Sequence, residues 1–331
     1  MKLINYLKER IEKIGRMRRD FIGTDLGPAQ KFIILADLAF SIIIFGCGIT
    51  DYFQYRFYGR SYQERKTFMV HRQRMWLVRS FNDRKDREIF DNKAAFNRKF
   101  SSFLGREWLE PAESSPDQFT AFAFRMQRFM VKPIRGSHGI GVEVLGVNEI
   151  ADLPVLFEKL KTRSVIVEEL IEQHEELAKF NAPSVNTLRV VTLLGADGKV
   201  NLITANLRIG NGPDRFADNF HHNGIAALID IKSGLVSTAG VDKNLNYFSD
   251  HPGSGKIIKG FKVPAWDRVV DTVCQAALVV PTVRYVGWDL AVGKEGQVIL
   301  IEGNAAADPD ISQMPDQVGK WPLYCRVLQA G

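Results

Sequence analysis

Two short apolar runs in the C-terminal third each end in an acid. Residues 285–288 lead into Asp289, and residues 298–301 lead into Glu302-Gly303-Asn304, thirteen positions further on. Side chains alternate faces along a strand, so Glu302 and Asn304 share one. Gly293-Lys294-Glu295-Gly296 reads as the hairpin turn that returns the chain beside Asp289. Three oxygen donors then meet at one place. Two carboxylates and an amide, with no thiolate or imidazole, suit a hard cation such as Mg2+ shared with a nucleoside triphosphate.

A place for the triphosphate lies upstream. Residues 129–145, FMVKPIRGSHGIGVEVL, set Lys132 at the end of an apolar strand, before a glycine-rich loop through Gly136, Ser137, His138, Gly139 and Gly141. Glycines let backbone amides approach phosphate oxygens, and the lysine adds a point charge. The dinucleotide fingerprint does not fit, because VEVL after the loop is strand and not a helix N-terminus. Gly253-Ser254-Gly255-Lys256 lacks the upstream glycine and the following Ser or Thr of a P-loop. Between loop and acids, residues 165–177 read VIVEELIEQHEEL, a strand running into an acidic segment. Here Glu168 suits an adenine amine, the Ile171 amide a ring nitrogen, and Glu175 or Glu176 the ribose hydroxyls. The alternative is an ordinary strand leading to a solvated acidic helix.

These residues need strands to carry them. β-branched runs place strands at 129–131, 142–145, 165–167, 188–194, 200–207 and 225–231, with tight turns at Asp197-Gly198 and Ser233-Gly234. Helices are expected at 147–160 and at 264–279, where Pro264 suits a first turn and Trp266, Val269, Val270, Val273 and Ala277 form a stripe. Residues 1–110 read as helical instead. Ile4, Leu7, Ile11 and Ile14 recur at helical spacing, and residues 86–103 put Ile89, Phe90, Phe96, Phe100 and Phe103 largely on one side. PAESSP, residues 111–116, reads as a loop and a boundary. Hairpins dominate over crossovers, which makes the class α+β.

The 331 residues, 45% apolar and 25% charged, describe a globular chain with room for two domains. Its net charge of +6 is uneven: residues 1–110 hold 22 Lys+Arg against 13 Asp+Glu. Such a basic region suits a membrane surface or a phosphorylated carrier, a solvated basic face with no partner being the commoner alternative, and no nucleic-acid motif accompanies it. Cys47, Cys274 and Cys325 lack CxxC spacing and fit a reducing cytoplasm. Residues 32–49 approach the length of a membrane span but contain Asp37. A charge at mid-bilayer costs about 2.5–3.5 kcal/mol on insertion scales, so a buried or interfacial helix is expected. No small-residue cleavage site follows, so a secretory signal is not expected.

Taken in order, VKPIRGSHGIGV, VEELI with a later Glu, NTLRVVT, GWDLAV and VILIEGNAAADP resemble the ATP-grasp carboxylate-amine ligases. EQHEEL, VNTLRVVT and HHNGIAALID narrow the resemblance, over about residues 86–315, to the sugar-transfer associated family. The resemblance implies an ATP-grasp fold, in which two α+β subdomains grip ATP. A basic helical region at 1–85 would precede a catalytic domain at 86–331, its nucleotide subdomain at about 111–180 and its metal and catalytic subdomain at about 181–331. Lys93 and Lys132 would hold phosphates, Gly136 to Gly141 would close over them, and Glu168, Ile171 and Glu175 or Glu176 would take the adenosine. Asp289, Glu302 and Asn304 match the Mg2+ ligands, Glu302 bridging two ions, with Mn2+ as a substitute. Two departures stand out. Gly287-Trp288 precede Asp289 where the family often has Arg, and Ala305-Ala306-Ala307 separate Asn304 from Asp308-Pro309.

The implied reaction is phosphorylation of a carboxylate followed by attack of an amine. It needs cations around the phosphoryl group and the later oxyanion, for which Arg189 and Arg208, each in an expected strand, are the candidates. Pairing with an acid is the alternative for a strand arginine. Residues 210–224, GNGPDRFADNFHHNG, read as a lid over the acceptor, from which Asn219 is expected to approach the phosphates. His221 and His222 are neighbours in an extended segment and do not form a chelating pair, while His138 and His174 suit structural or ribose-side roles. The expected product is an amide between an amino compound and a uronic acid or similar carboxylate, including a sugar nucleotide. The setting is cell-surface polysaccharide synthesis, in the cytoplasm or at the inner face of its membrane. A kinase-like phosphotransferase and a catalytically silent, membrane-peripheral scaffold are the alternatives.

Overall fold

The computed structural model describes residues 2–136, 139–212, 220 and 224–330. Ser137, His138, Asn219, His221 and His222 lie outside the described residues. Within them, two antiparallel sheets carry the fold. The smaller contains β1 (Trp108–Leu109), β2 (Arg128–Pro133), β3 (Glu143–Gly146) and β4 (Val165–Glu169), in the order β1-β4-β2-β3. The larger is built from β5 (Thr187–Leu194), β6 (Val200–Ile209), β7 (Ile225–Ile229), β8 (Gly240–Val241), β9 (Tyr247–Phe248), β10 (Tyr285–Val292) and β11 (Val298–Asn304). Its order is β11-β10-β5-β6-β7-β8-β9.

Every residue of β5 and β10 is buried, because both faces of the large sheet are covered, and their sequences therefore run apolar without alternation. On one face Val190, Leu207, Trp288 and Leu290 meet the stripe of helix Trp266–Ala276, through Trp266, Val269 and Val273. On the other, Val191, Leu193, Ile203 and Tyr285 pack against Leu77 and Val78 of helix His71–Phe81 and Tyr324 of helix Trp321–Gln329. Ala226 and Val241 meet Tyr52, Phe53 and Phe57 there. The basic N-terminal helices thus share cores with the sheet. The small sheet rests on helices Pro116–Met126 and Leu153–Lys161 through Phe119, Phe122, Phe157 and Leu160.

The expected strands are all present, and three other expectations change, one of a loop and two of helices. Helix Pro116–Met126 begins inside the segment read as a loop: Ser115 Oγ accepts from the Gln118 amide at 3.2 Å while Gln118 Oε1 accepts from the Ser115 amide at 2.8 Å. That is a capping box with proline at the first helical position, so Ser-Pro composition marked a start and not only a break. Residues 147–160 divide at Asp152, which caps Leu153–Lys161 after a short 3-10 turn at Val147–Glu149. Residues 86–103 divide at Asn92, whose extended backbone ends Arg87–Asp91 and whose Oδ1 caps Lys93–Lys99 by accepting from the Ala95 amide at 3.0 Å. Phe90, Phe96 and Phe100 still reach one place, a ring cluster against Trp288.

A fourth expectation is half corrected. Residues 28–45 form a helix, yet only Leu38, Ser41 and Phe45 of it are buried. A buried core helix is therefore excluded. Asp37 turns inward to Arg65, and the apolar side chains turn out.

Candidate functional site

Cross-strand register assembles one half of the site. Asp289 of β10 stands opposite Glu302 of β11 on one side and Arg189 of β5 on the other, so three charged side chains form a row across three strands. Arg208 of β6, two residues along from Asn206 and so on the same face, joins it. Arg189 grips Asp289 with two nitrogens, Nη2 to Oδ2 at 2.8 Å and Nε to Oδ1, and Arg208 Nη1 reaches Oδ2 at 3.0 Å. Between Asp289 and Leu290 the pairing slips, leaving Ile301 as an extra residue just before Glu302. Such a bulge re-aims the side chains beside it.

Two glycines make this row sterically possible. A Cβ on Gly303 would stand 2.8 Å from Phe90 and 3.1 Å from Phe96, so the Glu-Gly-Asn sequence needs glycine where the back of β11 meets the ring cluster. A Cβ on Gly287 would stand 2.6 Å from Ala307 and 3.2 Å from Arg189 Cδ. Gly287 therefore clears the path of Arg189, which brings a guanidinium to Asp289 from the neighbouring strand. Asn304, on the same side as Glu302, accepts from the Ala306 amide at 3.1 Å, and the Ala305-Ala306-Ala307 insertion is folded back by that bond.

Burial pushes the Asp289 carboxyl up, and the adjoining Arg189 and Arg208 charges overcome it, holding the group down at about 2. Glu302 moves the opposite way. Burial and then the Asp289 charge raise it, against the pull of Lys93, Arg189 and Arg208. A pair of carboxylates in which the second resists ionisation is one that a divalent cation would relieve. Among the described residues no three His, Cys, Asp or Glu side chains gather as a metal site. The oxygen set here is two carboxylates and the Asn304 amide, which suit Mg2+ by donor type, while in this arrangement both Asp289 oxygens are held by Arg189 and Arg208 and Asn304 Oδ1 takes the Ala306 amide.

The other half belongs to the small sheet. Glu168 of β4, 2% exposed, accepts from Lys132 Nζ at 2.6 Å, Arg106 Nη2 at 3.0 Å and Asn97 Nδ2 at 2.9 Å. Burial would raise its carboxyl, but Arg106 and Lys132 hold it well below the usual range. Oε1 takes Arg106 and Asn97 and Oε2 takes Lys132, which leaves one lone pair of Oε2 for the adenine-side contact read from the sequence. Arg106 also donates to the Leu300 carbonyl at 2.7 Å and the Ile301 carbonyl at 3.3 Å, tying Glu168 of the small sheet to the strand that carries Glu302. Lys93 closes the gap from a third direction: its amide donates to the Ile134 carbonyl at 3.0 Å and its Nζ to the Gly136 carbonyl at 2.7 Å. Burial pushes its ammonium down, Glu302 draws it up, and Lys132 repels it.

Gly136, Gly139 and Gly141 each adopt positive φ between β2 and β3, a backbone that side-chain-bearing residues rarely take. Ile171 lies in the link from β4 to the short helix Glu175–Ala178, a link pinned to the β10–β11 hairpin by Lys294 N to Glu172 O at 2.9 Å. Glu175 is exposed there. Glu176 is bonded by Lys179 and by Lys256 at 3.0 Å, which hold its carboxyl down at about 2. His174 caps the helix, its Nδ1 accepting from the Glu176 amide at 3.2 Å, a structural role as expected.

Lys93, Lys132, Glu168, Arg189, Arg208, Asp289 and Glu302 thus form one electrostatic group between the sheets. Glu175 and Glu176 stand apart from it. Arg106 and Asn97 were not read from the sequence. Asn97 had a faint signal, four residues past Lys93 on one helix, whereas Arg106 in Gly105-Arg106-Glu107 had none.

A model of the sugar-transfer associated ATP-grasp family matches residues 72–327. No curated protein matches the chain. Solved structures similar to it include the ATP-grasp ligase PsnB complexed with a phosphomimetic variant of a minimal precursor, Mg and ADP, at 17% identity and TM-score 0.46, covering 76% of this chain and 60% of that one. An ADP complex of purK, N5-carboxyaminoimidazole ribonucleotide synthetase, follows at 10% identity and TM-score 0.46, with 79% and 58% covered. D-alanyl-alanine synthetase A from Vibrio cholerae O1 biovar eltor is similar at 11% identity and TM-score 0.41, with 73% and 61% covered. The chain spans about three-fifths of the length of these proteins. It belongs to the sugar-transfer associated ATP-grasp family, and its two facing antiparallel sheets are an ATP-grasp fold.

Proposed function

We propose that this chain is an ATP-dependent ligase that joins a carboxylate to an amine in the synthesis of a cell-surface glycan or its precursor. One observation carries the proposal: the Arg189, Arg208, Asp289 and Glu302 row on the large sheet is coupled through Lys93, at the head of helix Lys93–Lys99, to Lys132 of the small sheet and the Glu168 that Arg106 also holds. The triphosphate lies against Lys132, Lys93 and the glycines at 136–141, and the adenosine against the link at Ile171. A carboxylate oxygen of the substrate attacks the γ-phosphorus, the bond to the β-phosphate oxygen breaks, and ADP leaves with that electron pair. An amine nitrogen then attacks the acyl carbon, phosphate departs, and one proton is lost from nitrogen. Arg189 and Arg208, fixed beforehand by Asp289, present guanidinium nitrogens to the charge that develops in each step. Asp289, Glu302 and Asn304 would hold Mg2+, which when bound neutralises phosphate oxygens.

The family's association with sugar transfer supports a uronic acid or a nucleotide-linked uronate as the carboxylate. The test is ADP release by purified protein with Mg-ATP against a matrix of amino acids and uronic acids or their nucleotide conjugates. ADP release that requires both a carboxylate and an amine is the expected result. Release with a hydroxyl acceptor and no amine would instead make the protein a phosphotransferase.

A further inference from the structure

Helix Pro28–Phe45 is inside out. Beyond its first turn its polar members face the protein: Ser41 is fully buried, and Asp37 accepts from Arg65 Nη1 at 2.7 Å and from Tyr52 Oη at 2.7 Å. Its apolar members face away, with Phe32 73%, Ile33 63%, Phe40 45% and Ile43 74% exposed. These four, with Ala36 between them, follow the three-to-four-residue spacing of one helical face. Water alone does not account for a contiguous face of this size.

We propose that this face lies flat in the interface of an anionic lipid bilayer. The helix is long and apolar enough to cross a membrane by composition, but 18 residues rise only about 27 Å, short of a hydrocarbon core of about 30 Å. It is also fastened along its length, Leu38 and Phe45 sharing a core cluster with Tyr52, Phe53 and Phe57 while Arg65 holds Asp37. A helix so fastened presents one side to lipid and keeps the other on the protein.

Charge selects the occupant. Lys31 is exposed near the N-terminal end of the apolar face, and Arg72, also exposed, donates to the Ile43 carbonyl at 2.9 Å at its C-terminal end. Lys8, Arg16 and Arg19 are exposed on helix Lys2–Phe21, whose Ile14, Met17 and Phe21 pack on the same cluster. Residues 1–85 hold 17 Lys+Arg against 8 Asp+Glu. A second copy of this face would bring like charges together, whereas anionic headgroups neutralise them as the apolar side chains enter the acyl boundary. Phe220, from the loop expected over the acceptor, is buried in the same cluster as Leu38 and Phe45. The lipid-facing helix and that loop are joined through one core.

The test is co-sedimentation of the full chain with vesicles of phosphatidylcholine alone and of phosphatidylcholine with about one-quarter phosphatidylglycerol. Partition is expected to be about tenfold stronger onto the anionic vesicles. The triple variant Phe32→Gln, Phe40→Gln, Ile43→Gln is expected to lose more than about tenfold of that binding while keeping its circular dichroism and melting temperature, since the side chains are exposed. Lys31→Glu is expected to weaken anionic binding alone. Three results overturn the proposal: no partition of the wild type, retention in the membrane pellet after alkaline carbonate (a span), or a lipid-independent dimer that the triple variant converts to monomer.

Discussion

Two buried carboxylates sit about the same cleft, and their surroundings differ in the balance of charge. Glu168 is one anion between Arg106 and Lys132, with an amide donor from Asn97 besides, and Lys93 lies between it and Glu302. Asp289 is matched by Arg189 and Arg208, but Glu302 stands opposite it, giving two anions to two cations. The small-sheet side therefore keeps surplus positive charge, and the large-sheet side keeps a second carboxylate that resists ionisation. A polyphosphate with its metal needs that asymmetry: cations for the phosphate oxygens on one wall, oxygen ligands for the metal on the other.

The largest effect should come from removing the oxygen wall. The double variant Asp289→Ala, Glu302→Ala is expected to lower ADP formation by at least about a thousandfold, measured with Mg-ATP and the substrates found by the matrix screen. Full activity there would end the ligase mechanism. Stability separates the two carboxylates next. Glu168→Gln leaves buried Arg106 short of its anion and is expected to cost about 3–5 kcal/mol in urea unfolding. Glu302→Gln, which relieves repulsion, is expected to leave the metal-free protein as stable as wild type or more so. Equal losses in the two variants would erase the contrast.

The pH dependence has a defined sign. Glu168 and Asp289 are both held below their ordinary values when folded, so their contribution is complete above the usual carboxylate range of about 4 and fades as pH falls through the folded values. Glu302, raised when folded, acts in the reverse sense, and its contribution fades as pH rises. Acid titration of unfolding should therefore show a flatter acid limb in Glu168→Gln and not in Glu302→Gln. The smallest expected effect belongs to the backing of the site. Gly303→Ala must displace Phe90, at about 1–3 kcal/mol, read as a lower melting temperature.

Much of the oxygen wall was legible in the sequence because it obeys local rules. Strand alternation and a four-residue turn put Glu302 beside Asp289, and the observed register agrees. The strand runs and the stripe on helix Trp266–Ala276 were legible for the same reason. The cation wall was only half so. Lys132 and the glycines announce themselves by type, but Arg106 acts through a fold that brings residues 106, 168 and 300 together, and no spacing encodes that. Helix Pro28–Phe45 was misread in part because composition says how apolar a helix is, while the direction in which Asp37 points depends on Arg65, 28 residues away.

Arg106 also joins the two sheets at one edge. Its guanidinium joins Glu168 of β4 to carbonyls of β11, at the edge of the small sheet formed by β1 and β4. Distance from that edge sets how far any turn of the small sheet would carry its other strands. β3 lies two strands away from β4, about 10 Å at the usual strand spacing. A rotation of about 10° would leave Glu168 nearly still and carry the turn between β2 and β3 by about 2 Å, so the part that travels farthest is the part that bears the glycines.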